Sequence, residues 1–380
     1  MTFVRKFSVE NYKSIRKLRL ELGTVNVLIG ANGSGKSNIL EAIALGSAGA
    51  RNKLDNEYLA PRGIRVVAPH FMRSAFPGGE KRDFISLSFS RDVGRTTRLE
   101  INPETREVIS SQPETPISSQ HEIPINLQPE ELVSLLDQVK KHITGPLFEV
   151  NTPPAPRPPI FPPDFLIYAP ESSALRVFQA EPQVLPLGIR GEGLFAHLKA
   201  LSTLEHVDQL AAIGDGLALL DWFERFEIPK DLAPSERSLL IRDRYLAEGN
   251  LFDQRSANEG FLFLLFYLTL FHSDATPRFF AIDNVDASLN PKLVTTLIEQ
   301  LVELAKTHRR QVIFTTHNPA VLDGIDLNDP EQRIFVTERG KDGATRVRRV
   351  NAPKPLDGDS PVPLSEAFVR GYLGGLPKNF

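Results

Sequence analysis

Residues 30–38 read Gly30-Ala31-Asn32-Gly33-Ser34-Gly35-Lys36-Ser37-Asn38. The spacing Gly-x4-Gly-Lys-Ser is that of a P-loop, a turn whose backbone N–H groups wrap phosphate oxygens. Glycines permit the inward-facing turn, and the start of a following helix adds partial positive charge. In such a loop Lys36 reaches the β- and γ-phosphates, and the Ser37 hydroxyl is a ligand for Mg²⁺. A second chemical element lies far downstream. Residues 277–283 form an apolar run ending in Asp283, the Walker B pattern, in which a buried strand delivers a carboxylate that orients Mg²⁺. Metal: Ser37 and Asp283 are the candidate ligands. Capping of the next helix is the other role open to Asp283.

These residues require a strand, a loop and a helix in series. Residues 24–29 are apolar and β-branched, and residues 38–45 carry helix formers at helical apolar spacing, so the context fits. Strands are also expected over 3–9 and 17–22, and a hairpin over 84–90 and 96–102. From 103 to 163 the pattern breaks down, apart from one candidate helix at 130–141. Seven prolines in residues 153–163 exclude helix and central strand there. An extended polyproline segment is expected, as a spacer or as a ligand for a partner domain. Residues 165–168 read as a strand. Residues 190–250 read as mainly helical, with helices over 193–201 and 217–226. An apolar helix follows at 259–271, then strands at 279–282 and 311–314 around a helix at 291–307. No heptad repeat is sustained, so long coiled-coil arms are not expected.

The chain has 380 residues, a net charge of −3 and no cysteine. Disulfides, thiolate metal sites and cysteine nucleophiles are thereby excluded. No apolar run is long enough to span a membrane, and residues 1–7 lack a signal-peptide core, so a cytoplasmic location is expected. The charge balance argues against a large nucleic-acid surface while leaving room for a local basic patch. The densest basic group is Arg5, Lys6, Lys13, Arg16 and Lys17, on expected strands.

Three further phrases carry a resemblance. The run Asp283-Asn284-Val285-Asp286-Ala287-Ser288-Leu289-Asn290 resembles the Walker B and D-loop of ABC-type ATPases in the SMC, RecF and OLD group. Thr315-Thr316-His317-Asn318 resembles the segment bearing the switch histidine of that superfamily, which touches the γ-phosphate. Residues 255–260 stand where the ABC signature motif would stand, ahead of the apolar helix, although the usual Ser-Gly-Gly is missing. Either Ser256 or Asn258 takes the place of the signature serine, with Glu259 and Gly260 beside it; a plain helix N-cap is the other reading. Residues 7–15 also resemble the opening of this group; more closely, residues 168–176, 256–260 and 371–377 resemble phrases of AAA-type ATPases related to the OLD family of phage-defence proteins.

The resemblance implies an α/β P-loop NTPase fold: an ABC-ATPase-like head with a mixed sheet, an antiparallel β subdomain and a helical signature subdomain. The expected division is 1–110 (N-terminal lobe), 111–164 (proline-rich insertion), 165–255 (strand plus helical subdomain), 256–350 (C-terminal lobe) and 351–380 (tail). It also implies ATP and Mg²⁺ as cofactors, a homodimer or higher oligomer closing on ATP, a separate nuclease or other effector, and a bacterial defence setting. A RecF-like repair ATPase binding DNA, or a nucleotide-loaded scaffold that never hydrolyses, are the competing functions.

The chain departs from the family pattern in several places. Asn284 stands where ABC-type ATPases place a glutamate base, and an amide cannot accept the attacking water's proton. Slow turnover is expected. Asp286 is the nearest substitute carboxylate, as base or as a D-loop positioner, and Glu259 of a second copy is another. The first glutamine after the P-loop is Gln112, to which no Q-loop role can be assigned. Only 63 residues follow His317, without the carboxylate cluster of a Toprim nuclease, so no nuclease activity is expected of this chain. The apolar tail 364–380 is read as packed on its own domain or as a docking segment.

Overall fold

The computed structural model describes residues 3–77, 82–91, 96–113, 160–178, 182–203, 206–229, 232, 236–352 and 362–374. The expected helix at 130–141, most of the proline-rich run, the turn at 92–95 and the last six residues lie outside these.

A six-stranded mixed sheet forms the centre. Its strands are β3 (Val25–Ile29), β7 (Phe165–Tyr168), β11 (Phe279–Ile282), β12 (Gln311–Thr316), β13 (Gln332–Arg339) and β14 (Thr345–Val350), in the order β14-β13-β3-β12-β11-β7. All neighbours are parallel except the β13–β14 hairpin. Every residue of β3, β7, β11 and β12 is buried, as expected for parallel strands covered on both faces. Alternation divides them between two cores. Val27, Phe280, Ile282 and Phe314 enter one, while Leu28, Phe279, Ala281 and Ile313 enter the other.

The second core lies against a five-stranded antiparallel sheet. It comprises β1 (Lys6–Tyr12), β2 (Ile15–Glu21), β4 (Ile85–Ser90), β5 (Thr96–Asn102) and β6 (Glu107–Pro113), in the order β2-β1-β4-β5-β6. Helix α1 (Lys36–Gly49) fills the space between the sheets with Ile39, Leu40 and Ile43. A short helix α2 (Asn56–Leu59) follows it. The mixed sheet and the antiparallel subdomain agree with the sequence reading. Strand β6 was not anticipated, and Gln112 lies within it.

On the other face, α3 (Ser172–Val177), α4 (Leu194–Leu201) and α5 (Val207–Gly216) gather round α6 (Glu259–His272), with α7 (Pro291–Thr307) beside it. Helix α6 is buried over Phe261–His272, which accounts for its apolar character on all sides. A last short helix, α8 (Leu364–Val369), buries Phe368 in the same core.

One expectation fails here. Residues 217–226 are not a helix: a 3₁₀ turn at Leu217–Leu219 is followed by β8 (Phe223–Glu227). With β9 (Leu240–Asp243) and β10 (Leu251–Asp253), β8 forms a three-stranded antiparallel sheet, so 190–250 is not mainly helical. The spacing of Leu217, Leu220, Phe223 and Phe226 imitates a helix. Pairing with β9 overrides it, and the Trp222 and Phe223 rings pack against Phe261.

The C-terminal end of α6 is a charged knot. Arg310 is 1% exposed and donates to the carbonyls of Phe271 (2.7 Å), Pro277 (3.0 Å) and Ser273. Its charge suits a helix C-terminus. His272, also buried, has its ring centroid 5.1 Å from that of His308. Burial, then the proximity of His308 and Arg310, lowers the His272 pKa from 6.5 to about 4. The unfolded chain therefore takes up a proton below pH 6.5 that the folded chain refuses until about pH 4. Stability that is complete above the higher value drains away as pH falls toward the lower, by about 1–2 kcal/mol once solvent screening is included. His272→Asn should flatten that slope in thermal melts between about pH 5 and pH 7.5. An unchanged slope would assign the acid sensitivity to other groups.

Candidate nucleotide site

Three parallel strands deliver the site. In a parallel sheet ligands bind beyond the carboxyl ends of the strands. The P-loop leaves β3, Asp283 follows β11, and His317 follows β12, which lies between them. Register places Ile29 beside Thr316 and Ile282 beside Phe314, so all three exits fall on one edge.

The loop is closed by its glycines. Gly33 and Gly35 have φ of +75° and +111°, values that favour glycine. A Cβ on Gly35 would fall 2.1 Å from the Thr345 Oγ1. Gly30 and Ser34 are buried, while Asn32 and Gly33 are exposed. Ala31 contributes its carbonyl: Lys36 Nζ donates to Gly30 O (2.6 Å) and Ala31 O (3.2 Å). Lys36 is only 8% exposed. Burial lowers its pKa, against the opposing pull of Asp283 and Asp286. The ammonium thus rests on the loop's own carbonyls, inside the fields of two carboxylates.

Ser37 Oγ lies 3.5 Å from Asp283 Oδ2. Two hard oxygen donors facing each other at the end of the sheet fit Mg²⁺, which takes one or two protein ligands and completes its shell with phosphates and water. Among the described residues there is no group of three or more His, Asp or Glu side chains that would hold a metal by itself.

Strand β12 supplies two residues whose roles the sequence did not reveal. Thr315 Oγ1 donates to Asp283 Oδ1 and accepts from the Asn284 backbone N–H (3.0 Å). Thr316 Oγ1 donates to Asp286 Oδ1 at 2.6 Å. Both threonines stand in the phrase that marked His317, and only their place between the P-loop and Walker B strands reveals their function. Asn284 has φ of +53°, a left-handed value that asparagine tolerates better than most residues, and its side chain is exposed. His317 is exposed at the end of β12.

The signature candidates form a separate cluster at the start of α6. Asn258 caps the helix, its Oδ1 accepting from Phe261 N at 2.8 Å. Ser256 Oγ bonds Asp253 Oδ1 at 3.2 Å. Glu259 Oε2 accepts from Ser288 Oγ at 2.7 Å, joining the helix to the D-loop segment, and Gly260 lies against Leu289. Hydrogen bonds from Ser288 and Ser172 hold the Glu259 carboxyl below its ordinary pKa. These partners are not P-loop residues.

Residues 6–151 match a family model described as "AAA domain". Residues 176–323 match one described as "AAA domain, putative AbiEii toxin, Type IV TA system". A stretch of 44 residues is 52% identical to the DNA replication and repair proteins RecF of Rickettsia massiliae (strain Mtu5) and Rickettsia rickettsii (strain Sheila Smith). It covers 11% of this chain and 12% of the length of each of those relatives. Among solved structures, an SmcHead bound to the C-winged helix domain of ScpA superposes with a TM-score of 0.54 at 15% identity. The match covers 92% of this chain and 98% of that one, a likeness of fold. Each of two AAA-domain models thus matches a part of the chain, and the fold is similar to that of an SMC head.

Proposed function

We propose that this chain is a Mg²⁺-dependent ATPase that works as an ATP-dependent dimerising switch. The observation that carries the reading is the meeting of Ser37 and Asp283 at the mouth of the P-loop, from opposite ends of the sequence. Loop N–H groups hold the β-phosphate, and Lys36 exchanges its carbonyl partners for phosphate oxygens. Ser37 and Asp283 would hold Mg²⁺, which would supply neutralisation of phosphate charge. Thr315 fixes the Asp283 rotamer. Asn284 orients water without taking its proton. Asp286, close enough to act on Lys36 and tied to Thr316, is the carboxylate we assign as base. His317 reports on the γ-phosphate.

The signature cluster bonds within its own lobe, so a second copy is needed to present a helix N-terminus to the bound triphosphate. Asn258 keeps the helix cap, and we assign the presented hydroxyl to Ser256, which would exchange its bond to Asp253 for phosphate. ATP that contacts both copies only in the closed state drives closure. The toxin–antitoxin wording of one matched model accords with a role in bacterial conflict through a separate effector. A DNA-handling role is favoured instead by the RecF stretch; salt-dependent DNA binding would select it. Among the described residues no helix is long and apolar enough to cross a membrane.

The test is phosphate release with Mg²⁺ and ATP, alongside sedimentation with and without nucleotide. Slow turnover and an ATP-dependent shift from monomer to dimer are expected. Protein that neither binds nor hydrolyses ATP would sink the proposal.

A further inference from the structure

Glu41 is 1% exposed, and among the described residues no other carboxylate is so buried. It lies on α1 four residues past Ser37, on the same helix face. Three groups converge on it: Lys13 Nζ, Arg65 Nε at 2.5 Å and the Tyr12 hydroxyl at 3.3 Å. Arg65 is gripped twice, since its Nη2 also donates to Asn38 Oδ1 at 3.0 Å. From Asn38 the chain of bonds continues to Ser14 Oγ (2.6 Å), to Thr345 Oγ1 (2.7 Å) and to the P-loop carbonyl of Ser34 (3.2 Å). Lys13 stands in the turn between β1 and β2, where Asn11 and Lys13 have positive φ.

The two cations line a groove of about 510 Å³ beside the P-loop. Lys13, Arg65, Arg73 and Arg339 contribute to its walls, and no carboxylate does. Arg339 Nε also donates to Gly33 O in the loop. Arg73 is paired with Asp83 at 3.2 Å and with Glu104 at 2.7 Å; the positive charge of Lys13, Arg65 and Arg339, in excess of the shared Glu41, marks a place for an anion. One cation would suffice to neutralise Glu41. A second, mostly exposed cation loses side-chain freedom by being held there. Its double grip makes sense as aim.

We infer that Glu41 is a positioning residue, a buried anion that fixes Lys13 and Arg65 on the groove wall so that they engage the phosphate chain of the nucleotide held by the P-loop. This rests on the ATPase reading. Without the buried charge the two cations repel each other and leave their places.

The test titrates full-length wild-type, Glu41→Gln and Arg65→Met proteins with fluorescent ATP and AMP at several salt concentrations. Glu41→Gln should weaken ATP binding by about 10- to 100-fold, as misplaced charged groups do, with a smaller loss for AMP and a shallower salt dependence. Arg65→Met should do the same, and the double variant should be no worse than either, because both remove one interaction. A folded Glu41→Gln with wild-type ATP affinity and salt dependence overturns the inference, as do losses that simply add. If Glu41→Gln does not fold, Lys13→Met and Arg65→Met decide: unchanged ATP affinity in both overturns it. Wild-type protein that binds no nucleotide overturns the ATPase reading, and this inference with it.

Discussion

Lys36→Ala is expected to abolish measurable phosphate release and to weaken MgATP binding by at least about 100-fold, the scale of losing one preorganised charge at a phosphoryl site. The structure explains why so much rests on one side chain. Lys36 Nζ is buried and within hydrogen-bond distance of two loop carbonyls, 2.6 and 3.2 Å away. Burial works against its charge, and Asp283 and Asp286 work for it. The triphosphate brings several negative charges to that spot, and the ammonium is already there, desolvated in part and aimed. Alanine leaves the two carboxylates facing the γ-phosphate without a counter-charge, so repulsion is added to lost attraction. The fold should survive, because the lost bonds are to loop carbonyls rather than to the core. Phosphate release, fluorescent-ATP titration and a melting curve check the three statements. A folded variant that retains a tenth or more of wild-type turnover would place the chemistry elsewhere.

The parts of the fold that were legible in the sequence are those whose signals are local. The P-loop announces itself in eight consecutive residues, because the phosphate cradle is one turn of backbone. Asp283 was legible because a buried strand must be apolar and then stop. The apolar α6 and amphipathic α7 were legible for the same reason. What was not legible depends on partners distant in the chain. Phe223 and Phe226 keep helical spacing, and only β9 makes them a strand. Thr315 and Thr316 look like ordinary strand residues until β11 places Asp283 and Asp286 within reach. Glu41 reads as one more helix former, and its two cations come from the β1–β2 turn and the loop after α2. Arg310 reads as a surface charge, yet the end of α6 surrounds it.

Asp286→Asn should lower the rate constant for hydrolysis by about 100- to 10,000-fold, the usual contribution of a general base, while leaving ATP affinity nearly unchanged. The argument begins at Asn284. Its amide can hold a water and cannot take a proton, so a carboxylate must stand nearby if turnover occurs at all. Asp286 is two residues on, half-buried, held by Thr316 at 2.6 Å and electrostatically coupled to Lys36. Asparagine preserves its shape and its bond to Thr316 while removing the charge. A D-loop positioning role predicts something different: weakened dimer closure with the chemical step intact once closed. Single-turnover rates at saturating ATP, measured beside sedimentation, separate the two. The natural rescue is Asn284→Glu in the Asp286→Asn background, which restores a carboxylate where related ATPases carry one. Glutamate at φ of +53° costs about 1–2 kcal/mol of backbone strain, well within the gain from a working base. If Asp286→Asn turns over at the wild-type rate, the proton goes to another group. Glu259 of the second copy then becomes the residue to change, since it sits beside Ser288 in the segment that the proposed dimer would turn toward the partner's triphosphate.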